Sequence, residues 1–238
     1  MAILDDLLQG LGERDAPVRE VRLGLRATAV WSRRLGLAYA FPRDPDAHGR
    51  EDTGEGQRLI DKSARELAEL ARASDLENAS IGIAAVNSLI PQPERLKEGE
   101  GFEVILRHGR SRHVALVGHF PFADRLRPLV RELTILELHP REGDLPASES
   151  ARVLPAADVA VITASSVINH TLEGLLAQAR GKPVILLGPS APLAPVLLDH
   201  GITAVCGSLV LDPQAALRDV SEAVSFRRMR GLRRVVLE

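Results

Sequence analysis

Five short apolar runs in the second half of the chain constrain the fold more than any other feature. They are rich in β-branched residues and lack polar alternation, and they occupy 113–120, 133–138, 158–163, 182–188 and 202–207. Such runs are typical of parallel strands whose two faces are both covered. Helical segments separate them, and a repeat of roughly 20 to 25 residues matches a βαβ unit. The sequence therefore predicts an α/β fold with a parallel sheet over 106–238.

The first half predicts a smaller α+β domain over 1–105. Apolar residues alternate with polar ones over 21–31 and again over 35–41, which indicates an antiparallel hairpin with one buried face. Apolar residues at helical spacing predict helices over 3–11, 59–71 and 79–89. A short bridging strand is predicted over 102–107.

The segment 42–56 is rich in turn formers and charge. It predicts a mobile loop that serves as a lid, and its Asp46, His48, Glu51 and Asp52 offer oxygen and nitrogen donors for a cation. Plain disorder is the alternative reading of the same composition.

Composition excludes several classes of function. No apolar run approaches the ~20 residues needed to cross a membrane, and the acidic start differs from a signal peptide, so we expect a cytoplasmic protein. A net charge of −2 and an aromatic content of 3% argue against nucleic-acid binding. The basic cluster over 227–234 is either a solvated surface or an anion-binding patch. The single cysteine, Cys206, excludes an intrachain disulfide; it is either a small buried side chain or a thiolate ligand.

Small and polar residues follow each predicted strand. In chain order, the positions are Gly118, His119 and Phe120, then Glu137, then Thr163, Ser165, Asn169 and Thr171, then Gly188 and Ser190, and last Gly207. Ligands of open parallel sheets bind beyond the carboxyl ends of the strands. The sequence therefore predicts a small-ligand site at this edge.

Two of the predicted loops run into helical segments. Ser190 precedes Pro192, and Ser165 or Ser166 precedes the segment with Asn169, so each serine is a candidate N-cap. A helix N-terminus suits phosphate or carboxylate oxygen. The serines are therefore either simple caps or ligand contacts.

The sequence allows two interpretations for each titratable side chain at the strand ends. His119 is either a structural histidine or a metal ligand or proton-transfer group, and His139 and His170 are weaker candidates of the same kind. Glu137 is costly to bury alone, so it either accepts a ligand hydrogen bond or pairs with an arginine. His119 and Glu137 are the predicted ligands of a divalent transition metal.

The common nucleotide and hydrolase motifs are missing from the sequence. The chain has no G-x-G-x-x-G after the first strand of the second half, no P-loop pattern and no G-x-S-x-G. This argues against an NAD cofactor, NTP hydrolysis and a serine hydrolase.

The loops, taken in order, resemble one known family. The matching stretches are VGHFP at 117–121, LELHPREGDLP at 136–146, LPAADVAVITASSVINHTLEGLL at 154–176, LLGPSAPLAPVLLDHGITAVCG at 186–207 and GIAAVNSLI at 82–90. They are similar to the family of unknown function labelled "putative heavy-metal chelation", in which an enolase N-terminal-like lobe precedes a Rossmann-like lobe.

The resemblance implies a ligand cleft between the two lobes and adds Asn87 to the site. It also implies ligand roles for Gly118, Phe120, Glu137, Thr163, Asn169, Thr171, Gly188, Ser190 and Gly207. The chain departs from the family pattern at three positions, Ala164, His119 and His170. These departures put a metal role for either histidine in doubt, and one cysteine with two methionines is a poor set of soft-metal ligands.

Three hypotheses for the function follow. The first is a binding protein for a metal or a metal-bearing small molecule. The second is an enzyme acting on an anionic, phosphorylated or pterin-like molecule held at helix N-termini. The third is a structural partner in a complex, and homodimerisation is compatible with all three.

Overall fold

The computed structural model describes residues 2–41 and 58–238. The predicted lid over 42–56 lies outside these residues. The chain divides into two compact units: one comprises 92–208 and 234–238 with the first residues of the chain, and the other comprises 4–91 and 209–233. The single domain boundary at residue 105 stays a prediction.

The unit built on 92–208 carries a large, mostly parallel sheet. Its strands are β4 (Lys97–Glu98), β5 (His113–Val117), β6 (Glu132–Glu137), β7 (Leu145–Pro146), β8 (Val159–Thr163), β9 (Val184–Leu187), β10 (Ala204–Val210) and β11 (Leu232–Leu237). The order across the sheet is β4-β11-β10-β9-β8-β5-β6-β7. Neighbours from β10 to β7 pair in parallel, whereas β4 and β11 pair antiparallel. The predicted α/β fold with a parallel sheet is confirmed.

Helices connect and flank these strands. They are α4 (Gly101–Gly109), α5 (Ala123–Leu126), α6 (Ser150–Ala156), α7 (Ser165–Ile168), α8 (Leu172–Gln178) and α9 (Val196–Asp199). A core of buried aliphatic side chains from β5, β6, β8 and β9 packs against Val104 and Ile105 of α4. None of the helices in the described ranges is both long and apolar enough to span a membrane.

The predicted strand over 102–107 is wrong, because this segment is helix α4. Its buried residues are Gly101, Val104, Ile105 and Gly109, which recur at spacings of three and four. A short apolar run fits a strand and a buried helix equally well until its packing partner is known. Here the partner is the sheet, and Gly101 lies close to Leu187 at the end of β9 and to Cys206 within β10.

The other unit combines a three-stranded antiparallel sheet with helices. Its elements are α1 (Ala2–Gly10), β1 (Glu20–Leu23), β2 (Ala27–Trp31), β3 (Leu35–Tyr39), α2 (Ala64–Glu69), α3 (Leu76–Leu89) and α10 (Pro213–Ser221). The strand order is β1-β2-β3. The enolase N-terminal-like and Rossmann-like labels for the two parts of the chain stay predictions.

The predicted continuous strand over 21–31 is instead two strands. A tight turn follows β1, in which the backbone N–H of Gly24 donates to the carbonyl of Ala27 at 2.9 Å. The predicted exposed face is also absent from β2, where Thr28 and Val30 are both buried. Helix α3 packs against β2 and β3. Alternation in the sequence continued through the turn and therefore hid it.

The predicted helix over 59–71 is broken into shorter pieces. A single 3₁₀ turn over Leu59–Asp61 precedes α2, and a second over Leu70–Arg72 follows it. Ser63 falls inside the predicted helix. It is the N-cap of α2, in a capping box with Glu66.

Candidate functional site

The topology of the large sheet marks one position along its carboxyl edge. From β5 the chain proceeds outward to β6 and β7, and then returns to the other side of β5 to form β8, β9 and β10. The connections that leave β5 and β8 therefore diverge. Open α/β sheets bind ligands in the crevice where the strand order reverses in this way. The segments beside it begin at Gly118 and at Ala164.

Gly118 allows the two strand ends to approach. Its φ is +104°, and a Cβ at this position would lie 3.1 Å from the Cβ of Thr163. An L-residue is strained at this φ and would also press against β8. Gly118 and Thr163 therefore stand side by side at the switch point.

His119 is the best-ordered titratable group at this edge. Its backbone N–H donates to Oε2 of Glu137 at 2.8 Å, and its ring Nδ1 lies 2.9 Å from Oδ2 of Asp144. The imidazole is 23% exposed, whereas the side chain of Asp144 is only 2% exposed. Two carboxylates from β6 and the loop after it thus fix the backbone and the ring of one histidine.

Glu137 accepts hydrogen bonds from backbone N–H groups through both of its carboxylate oxygens. Its Oε1 accepts from the backbone N–H of Leu138 at 2.7 Å, and its Oε2 accepts from His119. Within the described residues its partners are these two backbone N–H groups and not an arginine, while a ligand hydrogen bond to Glu137 stays a prediction. A carboxylate that accepts from two backbone groups orders the loops at the strand ends.

Asp144 is a site residue that the sequence did not reveal. It closes a turn in which its N–H donates to the carbonyl of Arg141 at 2.9 Å, with Gly143 at φ +87°. This is the third position of a type II turn, which requires glycine. The Glu142-Gly143-Asp144 sequence signalled a turn, but the distance in sequence to His119 hid the contact.

The polar residues after β8 bond mainly to one another. Oγ1 of Thr163 lies 3.0 Å from Oγ of Ser165, and Oγ of Ser166 donates to the carbonyl of Thr163 at 2.7 Å. Oδ1 of Asn169 accepts from Oγ1 of Thr171 at 2.7 Å. These bonds shape the loop and leave no serine hydroxyl as a helix cap.

The two predicted serine caps are wrong. Helix α7 has Ala164 as its N-cap, with no side-chain capping bond, and α9 begins only after Pro195. Ser190 is buried within a turn in which the N–H of Ala191 donates to the carbonyl of Gly188. The residues that precede Pro192 and Pro195 disfavour the α region, which delays the helix. Both helices have only four residues, and an anion site at their N-termini stays a prediction.

The remaining predicted residues fall in three places. Phe120 stacks on Phe122 with ring centroids 5.3 Å apart. Gly207 was expected at a strand end, but it is buried against Leu193 in the middle of β10. Asn87 belongs to the other compact unit, on α3, where its Nδ2 donates to the carbonyl of Leu37 at 2.9 Å.

Four further candidates are weaker. His139 is exposed after β6, and His170 adopts a positive φ of 59° after α7. Burial raises the pKa of the Cys206 thiol to about 12, so this side chain stays a neutral, apolar group at physiological pH. Arg230 of the basic cluster bonds to the buried Asp219, which makes it structural.

The donor set does not fit a metal ion held by protein side chains alone. Within 2–41 and 58–238, no three His, Cys, Asp or Glu side chains come together closely enough to bind a metal. His119 contributes one nitrogen, and the oxygens of Glu137 are already engaged by backbone N–H groups. Structural transition-metal sites need about four protein ligands and catalytic sites about three.

Comparison with known proteins gives consistent results. Two family models match, over 4–90 and 100–238, and both are described as "Putative heavy-metal chelation". An uncharacterized protein of Methanocaldococcus jannaschii is 26% identical over 207 residues, which cover 83% of this chain and 78% of that protein.

Two crystal structures resemble the chain over nearly its whole length. A DUF364-family protein of unknown function from Desulfitobacterium hafniense has a TM-score of 0.86 at 29% identity, covering 100% of this chain and 98% of that one. A second DUF364-family protein of unknown function, from Pyrococcus horikoshii, has a TM-score of 0.81 at 19% identity, covering 99% and 98%. The second likeness concerns the fold alone.

Proposed function

Because this chain belongs to the DUF364 family of putative heavy-metal chelation proteins, we propose that it binds a small metal-binding molecule at the carboxyl edge of its large sheet. In this proposal the bound molecule, and not the protein, supplies most of the atoms around the metal. The ligand lies at the switch point between β5 and β8, beside Gly118, His119 and Thr163.

One observation carries the proposal. The imidazole of His119 is held next to the switch point by Asp144, through a contact of 2.9 Å to Nδ1. A ring fixed through Nδ1 leaves its second nitrogen for a ligand. The family description suggests the metal, and the sparse donor set within residues 2–41 and 58–238 supports chelation by the ligand.

The other residues predicted from the sequence have different roles in this proposal. Asn169, Thr171 and Ser165 shape the loop after β8, and we propose that they contact the ligand through this loop. The alternative of an anionic substrate held at two helix N-termini stays a prediction; the two helices concerned, α7 and α9, have only four residues each. His119 and Glu137 as direct metal ligands, and Asn87 as a ligand contact, stay predictions.

The proposal is tested by thermal unfolding of the full chain against a panel of small chelators, each with and without Zn²⁺, Ni²⁺ or Co²⁺. At a hundredfold excess over its dissociation constant, a bound ligand adds about 2.7 kcal/mol to the free energy of unfolding. For a chain of this size that corresponds to a rise in Tm of roughly 5–10 °C. Metal salts alone should give a much smaller rise.

A matched pair of variants assigns the binding to the proposed edge. His119→Asn should abolish the rise in Tm, whereas His108→Ala should keep it. His108 lies in the last turn of α4, next to Gly109, which contacts Val114 at the start of β5. If metal salts alone stabilise the protein as much as any chelate does, the protein itself is the chelator and the proposal is wrong.

A further inference from the structure

We infer that Asp144 is a positioning residue that holds His119 as its Nδ1–H tautomer, so that the site selects a ligand group that donates a hydrogen bond to Nε2. The selection of the ligand rests on the proposed function. The tautomer does not, because it is a property of the ligand-free protein.

The proton between the two residues belongs to the histidine. An ionised carboxylate only accepts hydrogen bonds. Oδ2 of Asp144 already accepts from the backbone N–H of Arg141 at 3.2 Å, and it lies 2.9 Å from Nδ1 of His119. Nδ1 is therefore the donor, and in the neutral ring Nε2 carries the lone pair.

The hydrogen bonds around His119 fix the orientation of its ring. The side chain of Asp144 is 2% exposed, so water does not replace the imidazole as its partner without cost. The backbone of His119 is fixed separately by Glu137. Within the described residues, no hydrogen bond reaches Nε2.

The Nδ1–H tautomer determines which kind of ligand group can bind to the ring of His119. A lone pair at Nε2 accepts from an N–H or O–H group, and it repels the oxygens of a phosphate or carboxylate. The helices α7 and α9 that follow this edge have only four residues each, so their dipoles add little attraction for such oxygens. The inference therefore favours a ligand with an enol, oxime, hydroxamate or ring N–H group over an oxyanion.

The test is ¹⁵N NMR of the histidine-labelled full chain at pH 8, above the ordinary histidine pKa of about 6.5. Long-range ¹H–¹⁵N correlations distinguish the protonated ring nitrogen from the unprotonated one. We expect a protonated Nδ1 and an unprotonated Nε2 in the wild type, and a shift toward the Nε2–H tautomer in Asp144→Ala. His119→Asn identifies the resonances of His119 by their loss.

Asp144→Asn is the second variant, which keeps the size of the side chain if Asp144→Ala does not fold. Its neutral amide both donates and accepts, so we expect a mixture of tautomers. A wild-type ring with Nε2 protonated at pH 8, alone or together with Nδ1, would overturn the inference. So would a tautomer that both Asp144 variants leave unchanged.

Inorganic phosphate is the probe for the selection of the ligand. Adding it to the wild type should leave the Nε2 resonance of His119 in place, and a shift of that resonance that is lost in Asp144→Ala would contradict the preference for a donor. Failure to find a stabilising chelator would refute the proposed function, but it would leave the tautomer result standing.

Discussion

One histidine, His113, begins strand β5 and another, His119, follows its end by two residues; the two are held in similar ways with different consequences. The backbone N–H of His113 donates to Asp158 at 2.8 Å, just as that of His119 donates to Glu137. The rings differ. Nε2 of His113 lies 2.9 Å from the hydroxyl of Thr134, and its side chain is 9% exposed, against 23% for His119.

This difference between the two rings indicates which histidine can bind a ligand. A carboxylate on a neighbouring strand or loop anchors the backbone at both edges of the sheet. At the amino edge, Nε2 of His113 already bonds to the hydroxyl of Thr134. At the carboxyl edge the ring bonds through Nδ1 to Asp144, and Nε2 remains for a ligand. The predictions below test this contrast.

The largest effect is expected for His119→Asn. Asparagine keeps a donor near the position of Nδ1 for Asp144, but it lacks the Nε2 atom. We expect the loss of the whole ligand-induced rise in Tm, roughly 5–10 °C for a saturating ligand, with little change in the stability of the ligand-free protein. His119→Gln is the complementary variant, since its amide reaches the position of Nε2 without bonding Asp144. Full ligand stabilisation in His119→Asn would show that Nε2 makes no contact.

His113→Ala should do the reverse. Removing a buried side chain and its bond to Thr134 should lower the free energy of unfolding by about 2 kcal/mol, or roughly 4–8 °C in Tm. The ligand-induced rise should be unchanged, because the amino edge takes no part in binding. Chemical denaturation and the chelator titration measure the two quantities separately. Loss of ligand binding in a stably folded His113→Ala variant would break the contrast between the edges.

Gly143→Ala tests how Asp144 is delivered to His119. Alanine at φ +87° should cost roughly 1–2 kcal/mol, since no neighbouring atom lies within 4 Å and only the backbone is strained. The same NMR measurement should show a partial loss of the Nδ1–H tautomer of His119. Gly174→Ala is the control: it lies within α8 with nothing nearby, and it should be neutral or slightly stabilising. Equal destabilisation by both substitutions would argue against the turn.

The smallest effect is expected at the amino edge, for Asp158→Asn at low pH. The backbone N–H of His113, with a further contribution from Arg131, lowers the pKa of Asp158 below its usual range. Its contribution to stability is therefore present above the unfolded pKa of about 3.9 and is lost as the pH falls through the lower folded value. Asp158→Asn should flatten this part of the curve of Tm against pH. An unchanged acid limb would show that the bond to His113 adds nothing to stability.

Much of the fold was predictable because its signals are local. The five apolar runs predicted β5, β6, β8, β9 and β10 to within a few residues, and amphipathic or helical spacing predicted α1 and α3. Prediction failed where one sequence pattern is compatible with two local structures. Residues 102–107 fit a strand until their packing on the sheet is known, and the proline-rich segment after Ser190 read as the start of a helix.

The candidate site was only partly predictable. Gly118, His119 and Thr163 were singled out because they follow strands, and the sheet brings Gly118 and Thr163 together. Asp144 escaped notice because it lies 25 residues from His119 and belongs to a turn. Its role depends on a contact between two loops, and local propensity has no information about such a pair.

The sequence by itself determined the class of the fold and the edge of the sheet at which its polar residues gather, because hydrophobic periodicity and turn chemistry act over a few residues. Only the tertiary structure decided which nitrogen of His119 is bound, which serines cap helices and which carboxylates are already engaged. Those outcomes depend on strand order and on the distances between loops, where a shift of about 1 Å separates a hydrogen bond from no bond.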